Sequence, residues 1–203
     1  MRPVTIDQIL GFEQWERVRP VLRPLFIREK EHRRLAVGAH LTLLFENAQT
    51  VWYQVEEMVR AEHMSDPDAV QHELDTYNAL LPAAGELSAT LLIEYADPRE
   101  RDEALSKLVG LDRHLYLKMN DRRVPARFDE TQMEAGAISA VQFVRFSTEG
   151  ADADQLIKLA AAGALAVEVD HPSLTASAPI AGAFARALAD DLRQESLSDA
   201  PRA

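Results

Sequence analysis

The sequence predicts an α+β fold, in which an antiparallel or mixed sheet of about five to six strands carries an αα-hairpin and further helices. Three observations favour this class. Helical and strand patterns are segregated without a regular βαβ alternation, a tight β-hairpin is indicated around Asn120, and two amphipathic helices are separated by only a few residues around Ser65. We expect one α+β domain over residues 1–196, with a helical N-terminal region, and a flexible tail over 197–203.

The N-terminal region is predicted to be helical. After a short first helix, Pro20 and Pro24 interrupt the pattern. Because proline is disfavoured inside a helix and accepted in its first turn, we place a new helix from about residue 21 to about residue 35. Gly38 ends this region, and the largely apolar run from His40 to Glu46 favours a strand.

The predicted αα-hairpin comes next. Its first helix starts near Asn47. Its second starts at Asp66 and Pro67, which supply an N-cap and a first-turn proline, and continues to about Leu80. Since the connection is so short, the two helices should fold back on each other.

The rest of the chain contains the predicted strands and three helices. Asp97 and Pro98 begin a helix that Gly110 ends, because glycine is favoured just after a helix C-terminus. The other elements are a strand at 86–95, hairpin strands at 114–119 and 124–128, a strand at 138–146, a helix at 152–162, a strand at 164–170 and a terminal helix at 177–194.

The composition excludes several classes of protein. Hydrophobic residues make up 47% and charged residues 27%, as in an ordinary globular protein. No apolar run reaches the ~18 residues of a membrane span, and no secretory signal pattern is present, so we expect a cytoplasmic protein. The net charge of −11 would repel a nucleic acid. The chain has no cysteine and therefore cannot hold an iron–sulfur cluster through its own thiolates.

The helix after Asn47 concentrates carboxylates. On a helical wheel, Glu62 falls on the apolar stripe and Glu57 on its flank, whereas Glu56, Arg60 and His63 point away from it. A buried Glu62 would need an ion-pair partner, such as an N-terminal arginine, or a role as a metal ligand or acid/base group. Glu56 and Arg60 are expected to form an exposed pair.

The following helix and the sheet ends add weaker candidates. The wheel turns His72 toward solvent and places Glu73 on the edge that faces the preceding helix. His40 and Glu46 bracket a strand, where polar residues are more often structural. No Glu-x-x-His pair of the di-iron type occurs on these helices, and the sequence has no His-Glu-x-x-His, phosphate-binding loop or nucleophile-elbow motif.

An ordered set of segments resembles a bacterial family known as domain of unknown function 3501. The segments are 38–46, 50–62, 72–74 with Tyr77 and Asn78, 86–90, 138–146 and 170–172. The resemblance covers almost the whole chain, and none of its motifs is a known catalytic signature. The family motifs fall on Glu46, Glu57, Arg60, Glu62, His72, Glu73, Asn78 and Glu86.

The resemblance implies an iron-linked redox setting. Members of the family are commonly encoded beside a rubrerythrin and a cysteine-rich iron–sulfur oxidoreductase. Our first hypothesis is therefore an accessory or binding protein of a redox or peroxide-stress system. It would contact the rubrerythrin or the oxidoreductase through its acidic surface and helical hairpin, with no nucleic acid as partner.

Two alternatives stay open at this point. In the first, the chain is an enzyme that binds iron, manganese or zinc, since carboxylates and imidazoles suit these metals. Its candidate ligands are Glu57, Glu62, Glu73, His40 and His72. In the second, the polar residues form a buried network that only specifies the fold. The candidate polar cluster in either case is Glu46, Glu57, Arg60, Glu62, Glu73, Asn78 and Glu86.

Overall fold

The computed structural model describes residues 1–129, 133–134 and 137–198. Within these ranges the chain forms six α-helices and two larger antiparallel sheets, of five and four strands. The α+β class is confirmed, although the strands divide between two sheets where one was expected. Of the predicted tail, residues 199–203 lie outside the described residues.

The two sheets are both built from antiparallel neighbours. In spatial order, sheet A contains β1 (Arg34–Val37), β2 (Leu41–Phe45), β3 (Glu86–Ile93), β9 (Val141–Ser147) and β6 (Arg127–Phe128). Sheet B contains β11 (Leu174–Pro179), β10 (Leu165–His171), β4 (Leu115–Met119) and β5 (Arg122–Pro125). A separate short pair consists of β7 (Met133–Glu134) and β8 (Ala137–Ile138).

The helices of the described residues are, in chain order, α1 (Gly11–Glu31), α2 (Ala48–Ala61), α3 (Pro67–Asn78), α4 (Pro98–Lys107), α5 (Ala153–Ala161) and α6 (Gly182–Ser198). Short 3-10 helices occupy Ile6–Gln8 and Leu111–Arg113. The predicted αα-hairpin is confirmed as α2 and α3, and the predicted β-hairpin as β4 and β5. No helix in the described part of the chain is long and apolar enough to cross a membrane.

Sheet A has a core on each of its faces. Alternate residues of β2, such as Leu41 and Leu43, enter the main core, which also contains side chains of sheet B, α5 and α6. Against the opposite face lies the helical layer of α1, α2 and α3, whose smaller core includes Val55 and Leu74 and touches Phe143 of β9. The helical layer and sheet A therefore enclose a space of their own.

The N-terminal helix differs from its prediction. α1 begins at residue 11 and continues through Pro20 and Pro24, and Arg34–Val37 form a strand where the end of the helix was expected. Both prolines are exposed, so the backbone carbonyls that lose their helical donors can bond to water. Packing of the fully buried Trp15 holds the helix in place.

The C-terminal region also differs. β11 continues to residue 179, although its Ala-rich sequence was assigned partly to the terminal helix. Along its length β11 pairs with β10, and the small side chain of Ala178 is buried in the main core. Tertiary pairing therefore overrides the helix propensity of alanine at this point.

Candidate functional site

A cavity of about 420 Å³ lies between the helical layer and sheet A. We call it the central cleft. Its walls are largely apolar, with Leu44, Leu92 and Phe143 on the sheet side and Val51 and Leu80 on the helical side. Its polar lining comes from α1, β1, α2, α3 and β3 and from Glu46, which directly follows β2. The polar residues are Lys30, Arg34, Glu46, Thr50, Gln54, Tyr77 and Thr90.

Glu46 provides the carboxylate of the central cleft. It directly follows β2 and precedes the α2 N-cap residue Asn47, so the end of a strand and the start of a helix fix its position. The side chain is buried and accepts hydrogen bonds from Thr50 Oγ1 at 2.5 Å and Thr90 Oγ1 at 2.7 Å. Each carboxylate oxygen keeps a lone pair for a further donor.

Lys30 provides a positive charge in the same cavity. It lies in the last turn of α1, where its Nζ donates a long hydrogen bond of 3.4 Å to Gln54 and lies 5.0 Å from the centre of the Tyr53 ring. Burial lowers the pKa of Lys30, and the charge of Glu46 partly offsets this shift. Among the described residues, no carboxylate lies within 4.0 Å of this ammonium group. Lys30 and Glu46 thus line one cavity without forming an ion pair.

Two further polar groups complete the central cleft. The Tyr77 phenol is hydrogen-bonded to Gln54, and burial raises the pKa of Tyr77, with the charge of Glu73 adding to the shift. Tyr77 is therefore a neutral donor and acceptor near pH 7. At the rim, the exposed Arg34 places a guanidinium nitrogen 3.9 Å from Glu94. The arrangement can bind and orient a small polar molecule.

Some predicted site residues anchor α1 to α2. Glu57 receives two hydrogen bonds from Arg19, at 2.7 and 2.9 Å, and one from the Trp15 indole at 2.9 Å. This arginine lowers the pKa of Glu57. Arg60 pairs with Glu16. An ion pair with an N-terminal arginine was suggested for Glu62, but Glu57 forms it instead.

Glu62 itself was misplaced by the helical wheel. α2 ends at Ala61, and Glu62 is its exposed C-cap residue with φ −97° and ψ 2°. Because the helical periodicity stops there, the wheel angle no longer applies. The prediction that Glu62 is buried is wrong.

Asn78 and Glu86 also have protein partners. The Asn78 side chain accepts from the Val4 amide and donates to the Val4 carbonyl, both at 2.8 Å, which ties the N-terminal segment to α3. Glu86 pairs with Arg127 and lies 3.5 Å from Arg145. Of the seven-residue candidate cluster, Glu46 lines the central cleft, and the charge of the half-buried Glu73 contributes to the raised pKa of Tyr77.

The five candidate metal ligands have separate surroundings. Glu57 is held by Arg19, His72 is exposed on α3, and His40 stacks on Tyr95 with 3.9 Å between ring centres. In the ranges that the structure describes, no group of three or more His, Asp or Glu side chains is placed to hold a metal ion.

The buried carboxyl of α2 is Glu56, which the sequence assigned to the surface. Its Oε1 accepts the Leu10 amide hydrogen at 2.7 Å, and Oε2 has no hydrogen-bond partner among the described residues. Burial raises the pKa of Glu56 to about 7, against the effect of the Leu10 bond. The wheel missed it because α2 is covered on two sides, by α3 and by α1 with the N-terminal segment. The predicted exposed pair of Glu56 and Arg60 is wrong.

Most of the central cleft was not predicted from the sequence. Lys30 lies within the region predicted as a helix over about residues 21–35 and was given no role there, although it lines the cavity. Thr50, Gln54, Tyr77 and Thr90 all lie within the segments that carry the family resemblance. Their membership of one ordered set of family segments was the sequence signal that could have identified these cleft residues.

The fold and the central cleft define a class of protein, an α+β protein with a polar cavity between a sheet and a helical layer. The chain matches the family model "Protein of unknown function (DUF3501)" over residues 3–192, and it belongs to this family. It is 36% identical to a solved structure from Burkholderia pseudomallei K96243, described as a novel protein of unknown function. That match covers 94% of this chain and 100% of the other, with a TM-score of 0.83. A comparison with curated proteins finds no match.

Proposed function

We propose that this chain is a ligand-binding accessory protein of an iron-linked redox or peroxide-stress system. The observation that carries its ligand-binding part is the presence of Lys30 and Glu46 on one cavity without an ion pair between them, whereas the redox setting rests on the family resemblance. Buried or half-buried opposite charges usually satisfy each other directly, as Arg19 and Glu57 do. A small molecule that bridges the two groups would account for their separation.

The size and lining of the central cleft support ligand binding. Small-molecule sites typically measure about 300 to 1,000 Å³ and combine apolar walls with a few convergent polar groups. The cavity of about 420 Å³ falls in this range. Hydrogen bonds among Glu46, Thr50 and Thr90 fix these groups, so little ordering of them would be required on binding.

The accessory role requires a protein partner. The chain has no cysteine, and the family resemblance associates it with a rubrerythrin and an iron–sulfur oxidoreductase. α1 leaves Val18, Val21 and Leu25 exposed on one side, at 37%, 70% and 49% of their accessible surface. Contiguous exposed apolar residues of this kind are typical of protein contacts. This side of α1 is our candidate for the partner-binding face.

The partner can be tested with purified proteins. We expect the chain to form a complex with the rubrerythrin or the oxidoreductase from the same cells, measured by sedimentation velocity. Val21→Asp should weaken this complex, because it places a charge in the apolar contact. Val109→Asp changes a similarly exposed valine outside α1 and serves as the control. If neither redox protein associates with the wild-type chain, the accessory role is wrong.

The metal-dependent alternative has its own test. An iron, manganese or zinc site would require Glu57 to leave Arg19 and to approach other candidate ligands. Element analysis of freshly purified protein would support this alternative if it found stoichiometric metal that Glu57→Gln removes.

A further inference from the structure

The central cleft also indicates the chemistry of its ligand, on the basis of the proposed binding function. We propose that it takes a small organic carboxylate that carries a hydroxyl or ammonium group. The carboxylate would lie at Lys30 and the hydrogen-bond donor at Glu46.

The cations of the cleft favour an anion. Lys30 lines the cavity without a carboxylate partner among the described residues, and Arg34, whose guanidinium lies 3.9 Å from Glu94, adds positive charge at the rim. The other inward-facing cations of α1 and the following residues have close carboxylate partners: Arg19 binds Glu57 at 2.7 Å and Arg33 binds Asp191 at 2.6 Å. The Lys30 ammonium has a long bond to an amide instead. A ligand carboxylate would supply the missing charged acceptor.

The carboxylate of Glu46 favours a donor. Both oxygens of Glu46 already accept hydroxyl hydrogens, from Thr50 and Thr90, so the group acts as an acceptor. These two bonds come from α2 and β3 and fix the direction of the remaining lone pairs. A hydroxyl or ammonium group of the ligand can use them, whereas a second anion would be repelled.

The apolar part of the lining favours a short apolar body. Leu44, Val51 and Leu80 line the same cavity as Lys30 and Glu46. A molecule with a carboxylate, a few carbon atoms and a donor matches this combination of charged, polar and apolar lining. The compound 3-hydroxybutyrate has these features and is the probe for the test.

The experiment compares three probes that differ by one group. They are 3-hydroxybutyrate, butyrate without the hydroxyl, and 1,3-butanediol without the carboxylate. Binding to the full chain is followed through NMR shifts of the methyl groups of Leu44, Val51 and Leu80. We expect 3-hydroxybutyrate to shift these methyls and to bind about tenfold or more tightly than either of the others.

Two variants test the orientation of the ligand. Lys30→Gln should weaken 3-hydroxybutyrate and butyrate about tenfold and leave 1,3-butanediol unchanged, because it removes the charged contact. Glu46→Gln should weaken 3-hydroxybutyrate and 1,3-butanediol and leave butyrate unchanged or tighter. Arg28→Gln alters an exposed cation on the same helix and is the matched control. Dispersed amide spectra of each variant confirm that it is folded.

Two results would overturn the inference. Equal affinity for the three probes would show that the cleft binds small molecules without this preference, so the proposed binding function would stand and the ligand class would be wrong. Absence of shifts at the cleft methyls with 3-hydroxybutyrate would refute the ligand class outright. The complex with a redox partner is measured separately and does not depend on either result.

Discussion

At the scale of single residues, the buried carboxyl of Glu56 links stability to pH. It is fully buried against the Leu10 amide, and burial raises its pKa to about 7 from an ordinary value of 4.5. Between these values the folded chain holds a proton that the unfolded chain releases. The free energy of unfolding therefore decreases as pH rises toward 7 and changes little from this group at higher pH.

Glu56→Gln should remove this dependence. The amide oxygen can still accept from Leu10, and no charge is buried at high pH. We expect the variant to gain stability relative to the wild type as pH increases from about 4.5 to about 7, by up to about 3 kcal/mol. Urea unfolding at a series of pH values measures the difference.

Glu62→Gln is the control for this prediction, because Glu62 is an exposed carboxylate at the end of the same helix. Its difference from the wild type should stay nearly constant with pH. If the wild-type and Glu56→Gln stabilities instead run parallel across this range, the buried carboxyl does not hold its proton.

Residue burial on α2 was the least predictable feature from sequence. A helical wheel finds one apolar stripe, and the stripe residues Val55 and Val59 are in the core. It cannot show that the opposite side is covered by a distant N-terminal segment, nor that the helix ends one residue before Glu62. Both errors concern tertiary context, which periodicity does not contain.

At the scale of elements, α1 depends on ion pairs as well as apolar packing. Just beyond its C-terminus, Arg33 donates to both oxygens of Asp191 in α6, at 2.6 and 3.0 Å, and both side chains are 4% exposed. Asn47 also donates to Asp191, at 3.3 Å. These bonds join the helical layer to the C-terminal helix.

Arg33→Met should therefore be strongly destabilising. It leaves Asp191 buried without its cation, and we expect a loss of about 3 to 5 kcal/mol in the free energy of unfolding. Chemical denaturation measures the loss, with Arg17→Met on the exposed side of α1 as the control. A loss below about 1 kcal/mol would show that Asp191 is neutral or finds another partner.

The prolines of α1 provide a second prediction at this scale. Pro24→Ala restores a hydrogen-bond donor inside the helix. Alanine also makes the unfolded chain more flexible, which offsets part of the gain, so we expect the free energy of unfolding to increase by about 1 to 2 kcal/mol. Pro98→Ala, at the first turn of α4, should give no such gain because its donor is not needed there. Thermal unfolding compares the two. A destabilised Pro24→Ala would mean that α1 requires the proline at this position.

Elements with strong local signals were predictable from the sequence. Asp66 and Asp97 cap their helices as expected, and Asn47, near which a helix was expected to start, caps α2; each side chain accepts a backbone amide hydrogen. The errors occur where tertiary packing overrides a local rule. Prolines remain within α1, and an Ala-rich segment becomes the strand β11.

At the scale of the whole molecule, the central cleft results from the way the chain is layered. Sheet A is covered on one face by the main core and on the other by the helical layer, which leaves a cavity around Glu46. Its polar lining is drawn from segments that are far apart in sequence, from residue 30 to residue 90. Sequence patterns identified several of these segments through the family resemblance but could not bring them together in space.

A crystal structure of the chain grown with 3-hydroxybutyrate tests the central claim most directly. We predict one molecule in the central cleft, with a carboxylate oxygen about 2.8 Å from Lys30 Nζ and its hydroxyl bonded to Glu46. An empty cleft at saturating concentration, or a structure in which Lys30 and Glu46 close on each other as an ion pair, would contradict the account.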